Sequence, residues 1–136
     1  MRVFLGGTCT SNWRSLFMPM LDKLGIEYFN PVVPEWDEQA QANELRERET
    51  ADFVLYTLTP KMEGVYSIAE VVDDSNKRPD KTVFVLLSND ETVKWAPKAG
   101  NSMQAVKKLL QRNGVATFDS LEAAADYLWV SQRRPT

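Results

Sequence analysis

The sequence predicts an α/β fold in which a five-stranded parallel sheet, strand order 2-1-3-4-5, is covered by helices on both faces. Three observations carry this expectation. Strand-like and helix-like patterns alternate from one end of the chain to the other, the signature of successive βαβ units. The apolar runs at 53–58 and 82–87 lack a polar face, as central parallel strands buried on both sides require. The 136 residues suit one domain with a full core, expected over residues 1–130.

Each element has its own reason. Residues 2–5 read as a first strand, followed by a turn-rich loop from Gly6, with Ser11 or Asn12 placed to cap a helix over 13–24. Leu16, Phe17, Met20, Leu21 and Leu24 form the expected apolar face of that helix, and Gly25 ends it. Residues 26–30 make a short second strand, and Pro31 and Pro34 mark the connection after it. The next helix, 35–50, is rich in Glu, Gln, Ala and Arg. Its thin apolar face predicts a helix that is largely exposed or packed on a partner. After the third strand, 53–58, a short polar connection leads into a helix over 64–76. The fourth strand, 82–87, is followed by a long loop, 88–101, holding Trp95 and Pro97. A helix over 102–113 stops at Gly114, and 115–118 is the fifth strand. Asp119 and Glu122 have capping-box spacing before a last helix at 120–129, and 131–136 is expected to be a loose tail.

Composition excludes several functions. A net charge of -3 and a pI near 5.0 argue against a nucleic-acid surface, which needs clustered Lys and Arg. The chain has no histidine, so the commonest general base and transition-metal ligand are missing. Its single cysteine, Cys9, allows neither an internal disulfide nor a cysteine zinc site. No metal and no cofactor is therefore expected. Asp73 and Asp74, late in a helix, read as solvated acids rather than metal ligands. No apolar run approaches ~20 residues, so no membrane span is expected. The start of the chain reads directly as a strand without a signal-peptide pattern, and the expected compartment is the cytoplasm.

In such a sheet ligands bind beyond the carboxyl ends of the strands, where the strand order reverses. Here that place lies between the first and third strands. The loops that follow them begin with Gly6-Gly7-Thr8 and end at Glu63-Gly64. Two glycines let a backbone approach a ligand closely, although an ordinary tight turn would use them as well. The loop is neither a Walker A sequence nor a G-x-G-x-x-G. Cys9 and Arg14 evoke the phosphate loop of low-molecular-weight tyrosine phosphatases. Four residues separate them where that loop has five, and a simply packed cysteine is the better reading. Glu63, Tyr66, Ser67 and Glu70 fall on one helical face. Hydroxyls of Tyr66 and Ser67 at that spacing can hold the Glu70 carboxylate, and a held carboxylate can attack an anomeric carbon. The same spacing also suits a solvated glutamate. Trp36 and Trp95, on loops near the crevice, can stack on a base or cover a core edge.

Taken together, several segments resemble the nucleoside 2-deoxyribosyltransferase-like proteins of bacteria and phages. They are Val3-Phe4-Leu5-Gly6-Gly7-Thr8, Asn12-Trp13-Arg14, Tyr28-Phe29-Asn30-Pro31, Ala51-Asp52-Phe53-Val54-Leu55-Tyr56 and Gly64-Val65-Tyr66-Ser67-Ile68-Ala69-Glu70. The resemblance implies a flavodoxin-like three-layer sandwich and a glutamate nucleophile that expels a nucleobase from C1′ of a deoxyribose. It places that role at Glu70, with Tyr66 beside it. Substrate contacts are then expected at Gly6, Gly7, Thr8, Asp52, Glu63, Gly64 and Ser67. Phe4 stands where the family often has a tyrosine against the nucleophile, so that hydroxyl is missing. Gly64 falls where the transferases have a sugar-binding aspartate, with Glu63 as a substitute. The resemblance further implies a nucleoside or nucleotide ligand and a homo-oligomer, whose sites are completed by a neighbouring subunit. A non-catalytic nucleotide-binding or sensor domain on the same fold is the competing expectation.

Overall fold

The computed structural model describes residues 1–133. Its sheet contains β1 (Arg2–Gly7), β2 (Glu27–Phe29), β3 (Phe53–Leu58), β4 (Thr82–Leu86) and β7 (Ala116–Phe118), all parallel, in the order β2-β1-β3-β4-β7. This is the expected 2-1-3-4-5 order of a flavodoxin-like α/β fold. The helices are α1 (Trp13–Lys23), α2 (Glu38–Thr50), α3 (Tyr66–Lys77), α4 (Pro97–Arg112) and α5 (Leu121–Arg133). A short antiparallel pair, β5 (Asn89–Asp90) and β6 (Val93–Lys94), interrupts the segment expected to be loop.

Alternation along each strand divides the core in two. Val3, Leu5, Leu55, Val83 and Val85 face α1 and α5, where Trp13, Phe17, Leu21, Leu121 and Leu128 meet them. Phe4, Val54, Tyr56, Leu58, Phe84 and Leu86 face the other way, against Val71 of α3 and Met103 and Leu110 of α4. Both faces of the central strands are covered, which explains why their sequences carry no polar side.

Several local expectations are corrected. Leu16 points to solvent, 56% exposed, and the core face of α1 runs through Trp13, Phe17 and Leu21, one turn at a time. Of the two expected caps of α1, Ser11 is the one used, its Oγ accepting the Trp13 N–H at 3.2 Å. Helix α4 begins at Pro97, five residues before the expected start, because proline suits the first helical position. The last helix is capped by Ser120, which accepts the Ala123 N–H at 3.2 Å. Asp119 instead pairs with Lys107 at 2.7 Å. Helix α5 continues through Arg133, so residues 131–133 are helical rather than loose, and 134–136 lie outside the described residues.

The sharpest steric constraint is at the end of β1. Gly7 has φ +119, and a Cβ there would lie 2.1 Å from the backbone oxygen of Thr57 on β3. At Gly6 a Cβ would lie 2.5 Å from the Tyr56 ring. Both residues are the end of β1 rather than loop, and their lack of a side chain lets β3 come close. Gly25, by contrast, has φ +68 and open space around its Cβ position. Gly7→Ala is therefore expected to lower unfolding free energy by about 3 kcal/mol, backbone strain plus overpacking. Gly25→Ala should cost only about 1–2 kcal/mol, from strain alone. Equal losses in denaturant titrations would show that the close approach at Gly7 carries no weight.

Candidate functional site

A pocket of about 670 Å³ opens at the carboxyl ends of β1 and β3. That size is typical of small-molecule sites. One wall is the end of β1 and the turn after it, Gly6 to Thr10, with Arg14 of α1 behind. The connection carrying Pro31 and Trp36, and then Gln41 and Glu44 of α2, form a second wall. The third comes from Met62, Glu63 and Gly64 before α3, and Tyr66, Ser67 and Glu70 on it. The convergence expected at the switch point is thus realised, with Glu70 and the two glycines in one cavity.

The turn after β1 is rigid for reasons in its own sequence. Thr8 N–H donates to Thr57 O at 2.9 Å, and the Thr8 hydroxyl accepts the Thr59 N–H at 3.0 Å. Trp13 Nε1 and Arg14 Nη1 both donate to Thr8 O, at 2.8 and 2.9 Å. Arg14 also donates to Leu5 O at 3.0 Å and Gly7 O at 3.4 Å. Its buried guanidinium is thereby turned toward carbonyls, and burial holds its pKa below the usual arginine value. A phosphatase cradle needs that guanidinium on the anion, so the orientation of Arg14 disfavours that chemistry here.

Glu70 is 7% exposed, one full turn inside α3. Arg48 Nη1 of α2 stands 3.7 Å from its Oε2. That oxygen is buried and has no hydrogen-bond partner among the described residues. An unpartnered buried carboxylate oxygen is costly and therefore informative. Burial, then the neighbouring Glu44 carboxyl, push the Glu70 carboxyl up to about 8, against the pull of Arg48. Asp74, one turn further along α3, has no exposed surface at all. It receives Arg48 Nη2 at 3.0 Å, Nε at 3.3 Å, the Tyr56 hydroxyl and Arg78.

Other expected residues are placed differently. Tyr66 lines the pocket but is 67% exposed, and neither it nor Ser67 hydrogen-bonds Glu70 among the described residues. The hydroxyl support expected at helical spacing is absent: Tyr66 begins the helix and stays largely exposed. Glu63 and Gly64 line the pocket and are exposed. Asp52 is not part of it. It precedes β3 at the amino edge of the sheet, where it accepts the Arg2 N–H at 2.8 Å, so its expected substrate contact is corrected to a structural one. Phe4 packs between Phe29 and Tyr56, with ring centroids 6.1 and 6.0 Å away. Trp36 lines the pocket, while Trp95 borders a separate cavity and donates to Leu87 O at 2.7 Å. Asp74, expected to be solvated, is an inner ion-pair partner. Glu44 and Arg48 escaped the sequence reading altogether. Their four-residue spacing on α2 matches that of Glu70 and Asp74 on α3, the one signal that pointed to them.

Among the described residues no group of His, Cys, Asp and Glu is arranged to hold a metal ion, and no helix is long and apolar enough to cross a membrane. A family model described as "Nucleoside 2-deoxyribosyltransferase like" matches residues 1–90, which hold every pocket-lining residue named above. No curated protein matches the chain.

The raised pKa of Glu70 has a consequence for stability. The folded chain binds this proton more tightly than the unfolded chain, whose carboxyl titrates near 4.5. The penalty is absent below that value, grows as pH rises and is complete above about 8. Glu70→Gln cannot ionise. Its stability relative to wild type should rise by roughly 2–4 kcal/mol between about pH 4 and about pH 9. A pH-independent difference in denaturant midpoints would contradict the buried ionisation.

Proposed function

The chain belongs to the nucleoside 2-deoxyribosyltransferase-like family, and from that premise we propose that it breaks the N-glycosidic bond of a (deoxy)nucleoside or nucleotide, as a transferase or a hydrolase, with Glu70 as nucleophile. The observation that supports this most is the buried Glu70 carboxylate in the wall of the pocket, with one oxygen left free of hydrogen bonds.

Binding sets the sugar against Glu70, with the base toward the α2 wall, where Trp36 offers an aromatic face and Gln41 and Glu44 offer polar edges. A Glu70 oxygen forms a bond to C1′ as the bond from C1′ to the base nitrogen breaks, and the electron pair leaves with the base. Glu70 must be ionised for this step, whereas the departing base gains a proton. Glu44 lines the same cavity as Glu70 and is the candidate for handing the departing base a proton. Water or a second base then takes the sugar from Glu70. Gly6, Gly7 and Thr8 contribute backbone and shape on the facing wall, and Glu63 and Ser67 are candidates for the sugar hydroxyls.

A second reading, a non-catalytic nucleotide-binding domain, is favoured by Phe4 and Gly64, which lack the groups that the resemblance leads one to expect there, and by Tyr66, which does not reach Glu70. Incubation with a panel of deoxynucleosides, ribonucleosides and their monophosphates, followed by chromatography for free base, separates the two. Base release by wild type should fall by on the order of 10³ or more in Glu70→Gln, while binding survives. Glu63→Gln should lose less. Below about 8 the ionised fraction of Glu70 rises about tenfold per pH unit, and kcat/KM should rise with it. Release at the wild-type rate by Glu70→Gln would refute the nucleophile. Binding without release by wild type would select the second reading.

Assembly belongs to the same proposal. Val65 and Tyr66 are exposed beside the mouth of the pocket, where a second copy could complete the site. Light scattering at micromolar concentration should give a mass above the 15.5 kDa of one chain.

A further inference from the structure

Helix α2 presents a problem that its own packing does not solve. Of its thirteen residues only Arg48 is buried, and the helix has no apolar stripe to hold it on the protein. It is anchored by charge. Arg2 pairs with Glu47 at 2.9 Å near its end. Arg48 reaches inward to three carboxylates of α3: Glu70 at 3.7 Å, Asp73 at 3.2 Å and Asp74 at 3.0 Å. Asp74 is in turn fixed by the Tyr56 phenol from β3 and by Arg78.

The guanidinium therefore has two kinds of contact. Toward Asp74 it makes two hydrogen bonds, from Nε and Nη2, in the fork geometry that arginine offers and lysine does not. Toward Glu70 its other nitrogen, Nη1, stands just outside hydrogen-bond range. The first kind holds Arg48 rigidly. The second places positive charge next to a carboxylate without tying up its oxygen. The charge at 3.7 Å lies against the buried Oε2, so it favours the anion from the interior side without forming a hydrogen bond to it.

We propose that Arg48 is the positioning residue of Glu70, fixing its carboxyl in the pocket wall with a cation beside it, and that Asp74, Tyr56 and Arg78 keep that guanidinium in place. The inference rests on the reading of Glu70 as nucleophile. Groups facing Glu70 come from four elements: Glu44 and Arg48 of α2, Tyr56 of β3, Asp74 of α3 itself and, more distantly, Arg14 of α1. Glu44, Asp74 and burial all oppose the charged form, and Arg48 is the cation that counters them. Burial lowers the Arg48 pKa, but the bonds to Asp74 and the Asp74 and Glu70 charges outweigh it, so the guanidinium stays charged at every working pH. The polar composition of α2 then has a purpose: Glu44 and Arg48, one turn apart, bring a second carboxyl and a fixed cation to the wall that carries Glu70.

The test reads the Glu70 carboxyl directly, in protein labelled with ¹³C at the glutamate carboxyl carbon, with Glu70→Gln assigning the signal. Arg48→Met should move the Glu70 titration upward by about one pH unit or more. The acid limb of the kcat/KM profile for deoxynucleosides should move with it, so that turnover below the limb falls about tenfold while KM changes little. Arg48→Lys restores the charge without the fork and should shift the titration by an intermediate amount. It also covers the case in which Arg48→Met, which strands Asp74 in the core, does not fold. An unmoved Glu70 titration in folded Arg48→Met and Arg48→Lys would overturn the proposal and leave Arg48 a purely structural ion. The carboxyl titration needs no turnover. If wild type releases no base from any nucleoside, the nucleophile reading fails while the titration still decides whether Arg48 governs Glu70.

Discussion

A carboxylate with no exposed surface must be neutralised where it sits, and in this protein that carboxylate is Asp74. Two arginines and a phenol converge on it from α2, from the end of α3 and from β3. Burial first, then the neighbouring Asp74 charge, hold the Tyr56 hydroxyl protonated, so it remains a donor. The arrangement decides where α2 lies, since that helix has no buried apolar side chain of its own. It also decides what the candidate site looks like, because the wall carrying Gln41 and Glu44 is α2 and the wall carrying Glu70 is α3. Loss of any one partner would strand a charge in a low-dielectric interior, which is why such networks are exacting even when their net contribution to stability is modest.

The opposite wall depends on a different constraint, close packing of backbone. Gly6 and Gly7 let β1 lie against Tyr56 and Thr57, and the chain then turns sharply through Thr8 into α1. The carbonyls exposed by that turn are satisfied by Trp13 and Arg14. Arg14 is therefore committed to holding the loop rather than an anion. The cavity is left with the carboxyl groups of Glu44, Glu63 and Glu70 in its lining and with Arg14 turned away toward backbone.

Much of the fold was legible in the residues because parallel sheets impose strong local patterns. The apolar runs of β3 and β4, the glycines after β1 and the alternation of elements lead to the observed strand order, and that order brings Glu70 to the same cavity as Gly6 and Gly7. Misreadings cluster where two local signals competed. Leu16 fits an apolar helix face but lies just off the stripe that meets the sheet. Asp119 has capping-box spacing, yet Ser120 is better placed and Lys107 takes the aspartate. Asp52 stands in a family-like segment, but at the amino edge of its strand, away from any ligand crevice.

The sequence by itself determined the parallel α/β architecture, the switch-point crevice and the presence there of a carboxylate at position 70, since all three follow from periodicity, glycine placement and connectivity within short stretches. Only the tertiary structure decided what surrounds that carboxylate. Arg48 lies 22 positions before Glu70 and Tyr56 lies 18 before Asp74, numbering differences with no periodic meaning, and a polar helix reads the same whether its arginine meets water or a buried acid. Charge pairing in an interior is a property of which elements come to lie side by side, and that is settled by the packing of the whole chain.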